Sequence, residues 1–286
     1  MYVVTGATGQ LGRLVVEGLL AKVPAQEVAV AVRSAEKAAD LAARGVTVRV
    51  VDYDRPETLA GAFAAGDRVL LISGSEVGRR IPQHTAVIEA ARAAGVALLA
   101  YTSAPGAATF RLADEHKVTE AAIRESGLPF SFLRNGWYTE NYLGDAAGTA
   151  ARGAVVGSAG QGRVASAPRR DYADAAVAVL VGEGRGSGHE NTVYELSGDV
   201  AWSLPELAAE LAQASGQPVE HREVTPAEHR AVLVGAGLPE GFAEILVDVD
   251  AGIARGELAG TSGDLARLIG RPTVPLAESV RTAFGA

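Results

Sequence analysis

The chain has 286 residues, 48% hydrophobic and 21% charged, enough for one large domain or a domain with a smaller lobe and unlike a disordered chain. A net charge of -8 argues against broad binding to nucleic acid or to an anionic membrane. The absence of cysteine excludes disulfides, thiolate metal sites and thiol catalysis; the five histidines are scattered, and no run of about 18 apolar residues predicts membrane insertion. The chain opens on Tyr2-Val3-Val4 with no basic leader, so a cytoplasmic location is expected.

Short Val/Ile/Leu runs alternate with longer segments of helical spacing through the first half. Runs without polar alternation suit strands buried on both faces of a parallel sheet. Strands are predicted at 2–5, 27–32, 46–51, 68–72, 97–101 and 130–133, and helices at 10–21, 35–43, 56–64, 82–94, 114–126 and 172–182. Pro82 suits a first helical turn, Gly95 and Gly127 suit helix stops, and Asp114 suits an N-cap. Beyond Arg134 the pattern loosens. Strands are expected at 163–165, 192–196 and 219–224, and helices at 203–215, 226–234, 239–254, 262–269 and 275–284. The fold class is α/β, a doubly wound parallel sheet of Rossmann type with a smaller, mainly helical C-terminal lobe. The expected division is a dinucleotide-binding core at 1–134, completed by 170–198, and a substrate lobe at 135–169 and 199–286.

The strongest local signal is Gly6-Ala7-Thr8-Gly9-Gln10-Leu11-Gly12, between the first strand and the first helix. Glycines there permit a tight turn and close approach of backbone to a pyrophosphate, and the following helix offers free N–H groups and its positive dipole end. The second strand ends in Arg33-Ser34 rather than in the carboxylate that would bind a ribose 2′-hydroxyl. A cation there pairs with a 2′-phosphate, so NADPH is the expected cofactor. Asp52 is placed either to accept from an adenine amino group or to cap the next segment. Ser73, Gly74 and Ser75, ending the fourth strand, either run beside the cofactor or form a plain turn.

The next strand ends should surround the nicotinamide. They are Tyr101-Thr102-Ser103 and Arg134-Asn135-Gly136-Trp137-Tyr138. A Tyr-x-x-x-Lys acid–base pair is absent from the helix between them. The residue four before Lys117 is Ala113; in the other register His116 replaces the lysine and Leu112 the tyrosine.

These stretches resemble the NmrA-like atypical short-chain dehydrogenases, and in particular the bacterial type-2 NAD(P)H:quinone oxidoreductases. The resemblance rests on the glycine turn, Arg33, Ser75-Glu76-Val77-Gly78, Tyr101-Thr102-Ser103, Ala113-Asp114-Glu115-His116 and Arg134-Asn135-Gly136-Trp137-Tyr138. It continues through Val193-Tyr194-Glu195-Leu196-Ser197-Gly198-Asp199, 235–239 and Leu268-Ile269-Gly270-Arg271-Pro272-Thr273, so it covers essentially the whole chain. It implies flavin-free, NADPH-dependent reduction of a quinone. It also implies cofactor contacts at Gly6, Ala7, Thr8, Gly9, Gln10, Leu11, Arg33, Ser73, Gly74, Ser75, Asn135, Gly136, Trp137 and Tyr138. Lys117, where an apolar residue is expected, and a short loop at 104–111 depart from the family pattern.

The residues themselves agree with that expectation. A quinone is an electron-poor acceptor, and stacking it on the nicotinamide removes much of the barrier. Asn135, Tyr138, Ser103 and His116 are candidate donors to the oxygen that gains charge. Trp137 or Tyr138 can offer a flat face. Each has a structural rival: His116 bonding to Glu120, Trp137 and Tyr138 packing in a core, Ser103 closing its turn. Arg79-Arg80 either guides the phosphates or is a solvated loop. Arg170 either closes over the cofactor or merely precedes a helix capped by Asp171. A redox sensor that binds NADP(H) without turnover, and a reductase for another conjugated carbonyl or azo acceptor, remain as alternatives. A homodimer is also open, since no seam is legible.

Overall fold

Apolar runs of four to six residues, unbroken by polar alternation, form strands buried on both faces, as a parallel sheet requires. In this computed structural model residues 1–106, 108–182 and 188–285 are described. The chain runs β1 (Tyr2–Thr5), α1 (Gln10–Leu20), β2 (Val28–Val32), α2 (Ala39–Ala43), β3 (Thr47–Val50), β4 (Arg68–Leu71) and α3 (Arg80–Ala94). It continues through β5 (Leu98–Ser103), α4 (Arg111–Glu125), β6 (Phe130–Asn135), α5 (Glu140–Leu143), α6 (Ala146–Arg152), β7 (Ala154–Gly157) and α7 (Arg169–Val181). The remaining elements are β8 (Thr192–Leu196), α8 (Leu204–Ser215), β9 (Glu220–Glu223), α9 (Pro226–Gly235), α10 (Glu240–Ala254), α11 (Asp264–Ile269) and α12 (Leu276–Ala283).

Two compact units emerge. The first comprises Met1–Ala104, Glu115–Asn135 and Arg169–Glu195; the second comprises Pro105–Asp114, Gly136–Pro168 and Leu196–Ala286. The first unit holds a doubly wound sheet of Rossmann type, seven strands in the order β3-β2-β1-β4-β5-β6-β8, parallel from β3 to β6. The order reverses between β1 and β4, which opens a crevice at the carboxyl ends of those strands. One sheet face buries Val3, Val69, Leu71, Leu99, Tyr101 and Phe132 with Val87, Ile88 and Ala91 of α3 and Ile123 of α4. Helices α1 and α7 pack closely: a Cβ at Gly18 would stand 2.9 Å from a methyl of Val177.

The second unit pairs β7 with β9 in a two-stranded parallel sheet and is otherwise mainly helical. Ser203 and Glu206 cap α8 reciprocally, which sets its start where the sequence indicates, and Gly216 ends it at φ 68°.

Several expectations need correction. The helix expected at 56–64 is one 3-10 turn, Pro56–Leu59, because Ala60 turns extended and Gly61 takes φ 76°. The helix at 35–43 splits into a 3-10 turn, Glu36–Ala38, and α2. The strand at 163–165 is a single bridge between Val164 and Trp202. Asp114 and Asp171 lie inside the first turns of α4 and α7 instead of capping them. In the loop expected at 104–111, Ala107 lies outside the described residues.

Candidate functional site

At the end of β1 the chain turns through Gly6 at φ 57°, which only glycine adopts without strain. The Gly9 N–H donates to the Gly6 carbonyl at 3.0 Å, and the first bond of α1 runs from the Arg13 N–H to the Gly9 carbonyl at 2.9 Å. The N–H groups between them have no helical acceptor, and with the helix dipole they form an anion site. Gly12 is needed for a different reason. A Cβ there would lie 2.4 Å from the Gly6 carbonyl oxygen and 2.6 Å from Ala7 Cα, so the helix could not cross the turn this closely. Ala7 is buried beneath the turn.

A cleft of about 460 Å³ opens over this turn, a volume in the range of small-molecule sites. Gly6, Thr8, Gly9, Gln10 and Leu11 line one side, Arg33 and Lys37 another, and Ser73, Gly74, Ser75 and Glu76 the wall after β4. Arg33 Nη1 stands 3.1 Å from Glu76 Oε1, and both side chains are exposed. Gln83 Nε2 donates to Glu76 at 3.3 Å and to Asp54 at 3.2 Å. Asp52 lines the cleft and also closes its own turn, accepting the Asp54 N–H at 3.1 Å. That N–H, with Arg55 beside it, holds the carboxyl below the usual carboxylate range despite desolvation.

The wall after β4 is tied down bond by bond. The Ile72 N–H donates to Thr5 Oγ1 at 3.0 Å, the Ser73 N–H to Thr102 Oγ1 at 2.8 Å and the Gly74 N–H to His84 Nε2 at 3.0 Å. Arg80 Nε donates to the Gly74 carbonyl at 2.6 Å.

Glu120 of α4 gathers the ends of β5 and β6. Its carboxylate accepts Ser103 Oγ at 2.6 Å and Arg134 Nε and Nη2 at 2.9 and 2.7 Å, while Arg134 Nη1 reaches Glu195 at 2.7 Å. The bonds to Glu120 and Glu195 outweigh burial and raise the Arg134 pKa. His116 is buried, its Nδ1 2.8 Å from Tyr101 Oη. Burial, with Arg80 and His84 nearby, pushes its pKa down to about 3, so the ring is neutral. Burial raises the Tyr101 pKa.

Residues 6–182 match the family of NAD(P)H-binding proteins. Over 99% of its length the chain is 48% identical to quinone oxidoreductase 2 of Escherichia coli strain K12, covering 99% of that protein. It is 32% identical to an NAD(P)H azoreductase of Xenophilus azovorans over the full length of both. The crystal structure of an NADPH-dependent quinone oxidoreductase of E. coli complexed with NADPH superposes with a TM-score of 0.94, at 48% identity, 99% of this chain and 100% of that one. A Citrobacter triphenylmethane reductase complexed with NADP(H) gives 0.94 at 44% identity, with the same coverage.

The chain belongs to the NAD(P)H-binding, NmrA-like family.

For this family member the expected cleft residues Gly6, Thr8, Gly9, Gln10, Leu11, Arg33, Ser73, Gly74 and Ser75 come together around one cavity. Arg170 does not join them. It is exposed on α7, its Nε 3.1 Å from Asp174 and its charge felt by Glu17 of α1. His116 bonds to Tyr101, not to Glu120. The hydroxyl hydrogen of Ser103 is committed to Glu120, so it is not available to a ligand. Asn135 ends β6, buried, in the first unit; Gly136, Trp137 and Tyr138 begin the second, where the Gly136 N–H donates to Leu196 and Tyr138 bridges to Ala167.

Sequence reasoning missed Lys37, Glu76, His84 and Glu120 as parts of this site, and left Arg80 between a guide for the phosphates and a solvated loop; the structure buries it at the start of α3, against the wall of the cleft. A signal existed for Arg80 and His84. Arg80, Gln83, His84, Val87, Ile88 and Ala91 form the buried stripe of α3, so polar residues occupy core positions at its N-terminal end.

Proposed function

We propose that the chain is an NADPH:quinone oxidoreductase that works without flavin, in the cytoplasm. One cleft carries the proposal: it joins a glycine turn at a helix N-terminus to two cations, Arg33 and Lys37, beyond the end of β2. That arrangement fits a dinucleotide with a pyrophosphate at one point and a 2′-phosphate at another. The whole-length likeness to the E. coli quinone oxidoreductase supports the choice of acceptor.

NADPH supplies the hydride when bound. The turn of Gly6, Ala7, Thr8, Gly9, Gln10 and Leu11 holds the pyrophosphate, Arg33 and Lys37 hold the 2′-phosphate, and Ser73, Gly74 and Ser75 shape the wall. Asn135, Gly136, Trp137 and Tyr138 orient the acceptor. The Asn135 amide and the Tyr138 hydroxyl donate to the oxygen that gains charge, and Trp137 offers a flat face. Ser103 and Arg134 act through Glu120, which keeps the ends of β5 and β6 in register. His116 serves as a neutral group paired with Tyr101.

The test is to mix protein, NADPH and a benzoquinone and follow absorbance at ~340 nm. Turnover in the wild type, with kcat/KM reduced at least about tenfold in Asn135→Ala, is expected. NADP⁺ binding without NADPH oxidation above the uncatalysed rate refutes the enzyme and favours a sensor.

A further inference from the structure

We infer that His84 is a positioning residue of the cofactor cleft, holding the Gly74 peptide of its wall together with Arg80. The inference rests on the reading of that cleft as the NADPH site. Both polar groups of Gly74 are taken by side chains one turn apart on α3: the N–H by His84 Nε2 at 3.0 Å, the carbonyl by Arg80 Nε at 2.6 Å. An imidazole nitrogen that accepts an N–H carries no proton, so the ring proton sits on Nδ1. There it donates to Thr119 Oγ1 at 3.0 Å, and the Thr119 hydroxyl passes its own hydrogen to the Glu115 carbonyl at 2.9 Å. The chain of bonds therefore runs in one direction only, from Gly74 through His84 and Thr119 to the backbone of α4. Glu115 completes the brace. One of its carboxylate oxygens accepts the Gly78 N–H at 3.1 Å, and the other stands 3.6 Å from Arg80 Nη1.

His84 is fully buried, and burial followed by the charge of Arg80 pushes its pKa down to about 4, which keeps the acceptor neutral. Nothing about glycine itself holds this peptide. Gly74 is not at positive φ, and a Cβ there would make ordinary contacts, 3.4 Å to Gln83 Oε1 and 3.7 Å to His84 Nε2. The orientation is imposed by the side chains of α3 and α4. Removing the acceptor leaves a donor stranded at the wall. The relaxation open to it is rotation of the peptide, which changes the groups the wall presents to the ligand.

Three variants test this, read by NADPH Kd from fluorescence titration, by KM for NADPH and kcat at saturating quinone, and by Tm. His84→Leu should raise Kd and KM for NADPH about tenfold, the cost of one stranded donor, with kcat at saturating NADPH within about twofold. His84→Gln, whose amide oxygen can accept the same N–H, should return both to within about threefold of wild type. Thr119→Val frees the ring proton to move to Nε2 and should give an intermediate KM. Wild-type NADPH affinity in His84→Leu, or a His84→Gln protein as weak as His84→Leu, overturns the inference. If His84→Leu does not fold, wild-type affinity in Thr119→Val overturns it. A wild-type protein that binds no nicotinamide nucleotide brings down the reading of the cleft as well, an outcome distinct from the other three.

Discussion

Arg33 and Glu76 face each other across the mouth of the cleft, and this pair makes cofactor choice testable by charge alone. Their atoms stand 3.1 Å apart, with side chains 72% and 37% exposed, so the pair itself stabilises the chain by about 0–1 kcal/mol. A 2′-phosphate that takes Arg33 must displace Glu76 and then sit within roughly 6 Å of its carboxylate. At that distance each pair of unit charges costs roughly 0.7 kcal/mol in a water-like dielectric, and a phosphate carries nearly two. Allowing for salt screening, Glu76→Gln should bind NADPH about three- to tenfold more tightly. The amide can keep the bond to Gln83, so the wall is otherwise preserved. NADH lacks the phosphate and should shift less than about twofold. Arg33→Ala should do the opposite, weakening NADPH far more than NADH. Titration of intrinsic fluorescence with both nucleotides, at low and high salt, measures each Kd, and the Glu76→Gln gain should shrink at high salt. Equal shifts for the two nucleotides, or weaker NADPH binding in Glu76→Gln, would refute the argument.

Further predictions follow from packing and titration. Gly12→Ala forces a Cβ onto the Gly6 carbonyl at 2.4 Å, so it should lower Tm by several degrees and weaken NADPH at least tenfold, read by thermal melts and titration. Arg170→Ala should leave NADPH affinity within about twofold, because its guanidinium is directed to Asp174; a tenfold loss would return it to the site. His84 and His116 have pKa values lowered by burial to about 4 and about 3, so the unfolded chain binds more protons than the folded one as pH falls below about 6.5. Stability should be fully present above that pH and be lost progressively toward pH 4, at up to about 1.4 kcal/mol per pH unit per histidine; a Tm flat between pH 7 and 4.5 would contradict this.

What could be read from the sequence was local. The glycine turn announces itself because three glycines sit between a four-residue strand and a helix, and Arg33 because it ends the second strand. The end of β4 just before Ser73 and that of β6 at Asn135 follow from the apolar runs before them. What escaped depends on partners far apart in the chain. Glu76 meets Arg33 across 43 positions, and Glu120 collects Ser103 and Arg134 from two strands. Strand β7 escaped because Ala154-Val155-Val156-Gly157 is short and lies in a Gly- and Ala-rich stretch, and its partner, Glu220-His221-Arg222-Glu223, is polar. Arg170 precedes Asp171 near an expected junction, a local pattern that fits either closure over the cofactor or a plain helix start. The packing of α7 beside α1, fixed by Gly18 against Val177, carries it elsewhere.

The register of α4 bears on which acceptors this chain can reduce. Ala113, His116, Thr119, Glu120 and Ile123 are buried, and Lys117 is exposed on the opposite side. His116 therefore holds the inward position that a Tyr/Lys catalyst would give to its lysine, and Leu112 holds that of the tyrosine. Tyr101, whose hydroxyl meets His116, has its pKa raised by burial and a neutral imidazole beside it instead of an ammonium. This arrangement is poorly suited to protonating an alkoxide. Hydride addition to a simple ketone leaves an oxyanion about as basic as hydroxide, with a conjugate acid near pKa ~16. Addition to a quinone leaves a phenolate-like anion, with a pKa near ~10. The gap of about six units spares the site roughly 8 kcal/mol of proton-transfer work, and hydrogen-bond donors such as those proposed at Asn135 and Tyr138 would have only the remainder to supply. A substrate panel should then show NADPH oxidation with benzoquinones and none above background with unactivated ketones or aldehydes. Comparable kcat/KM for a simple ketone would mean that a proton donor operates in this chain outside α4 and Tyr101, and the argument from register would fail.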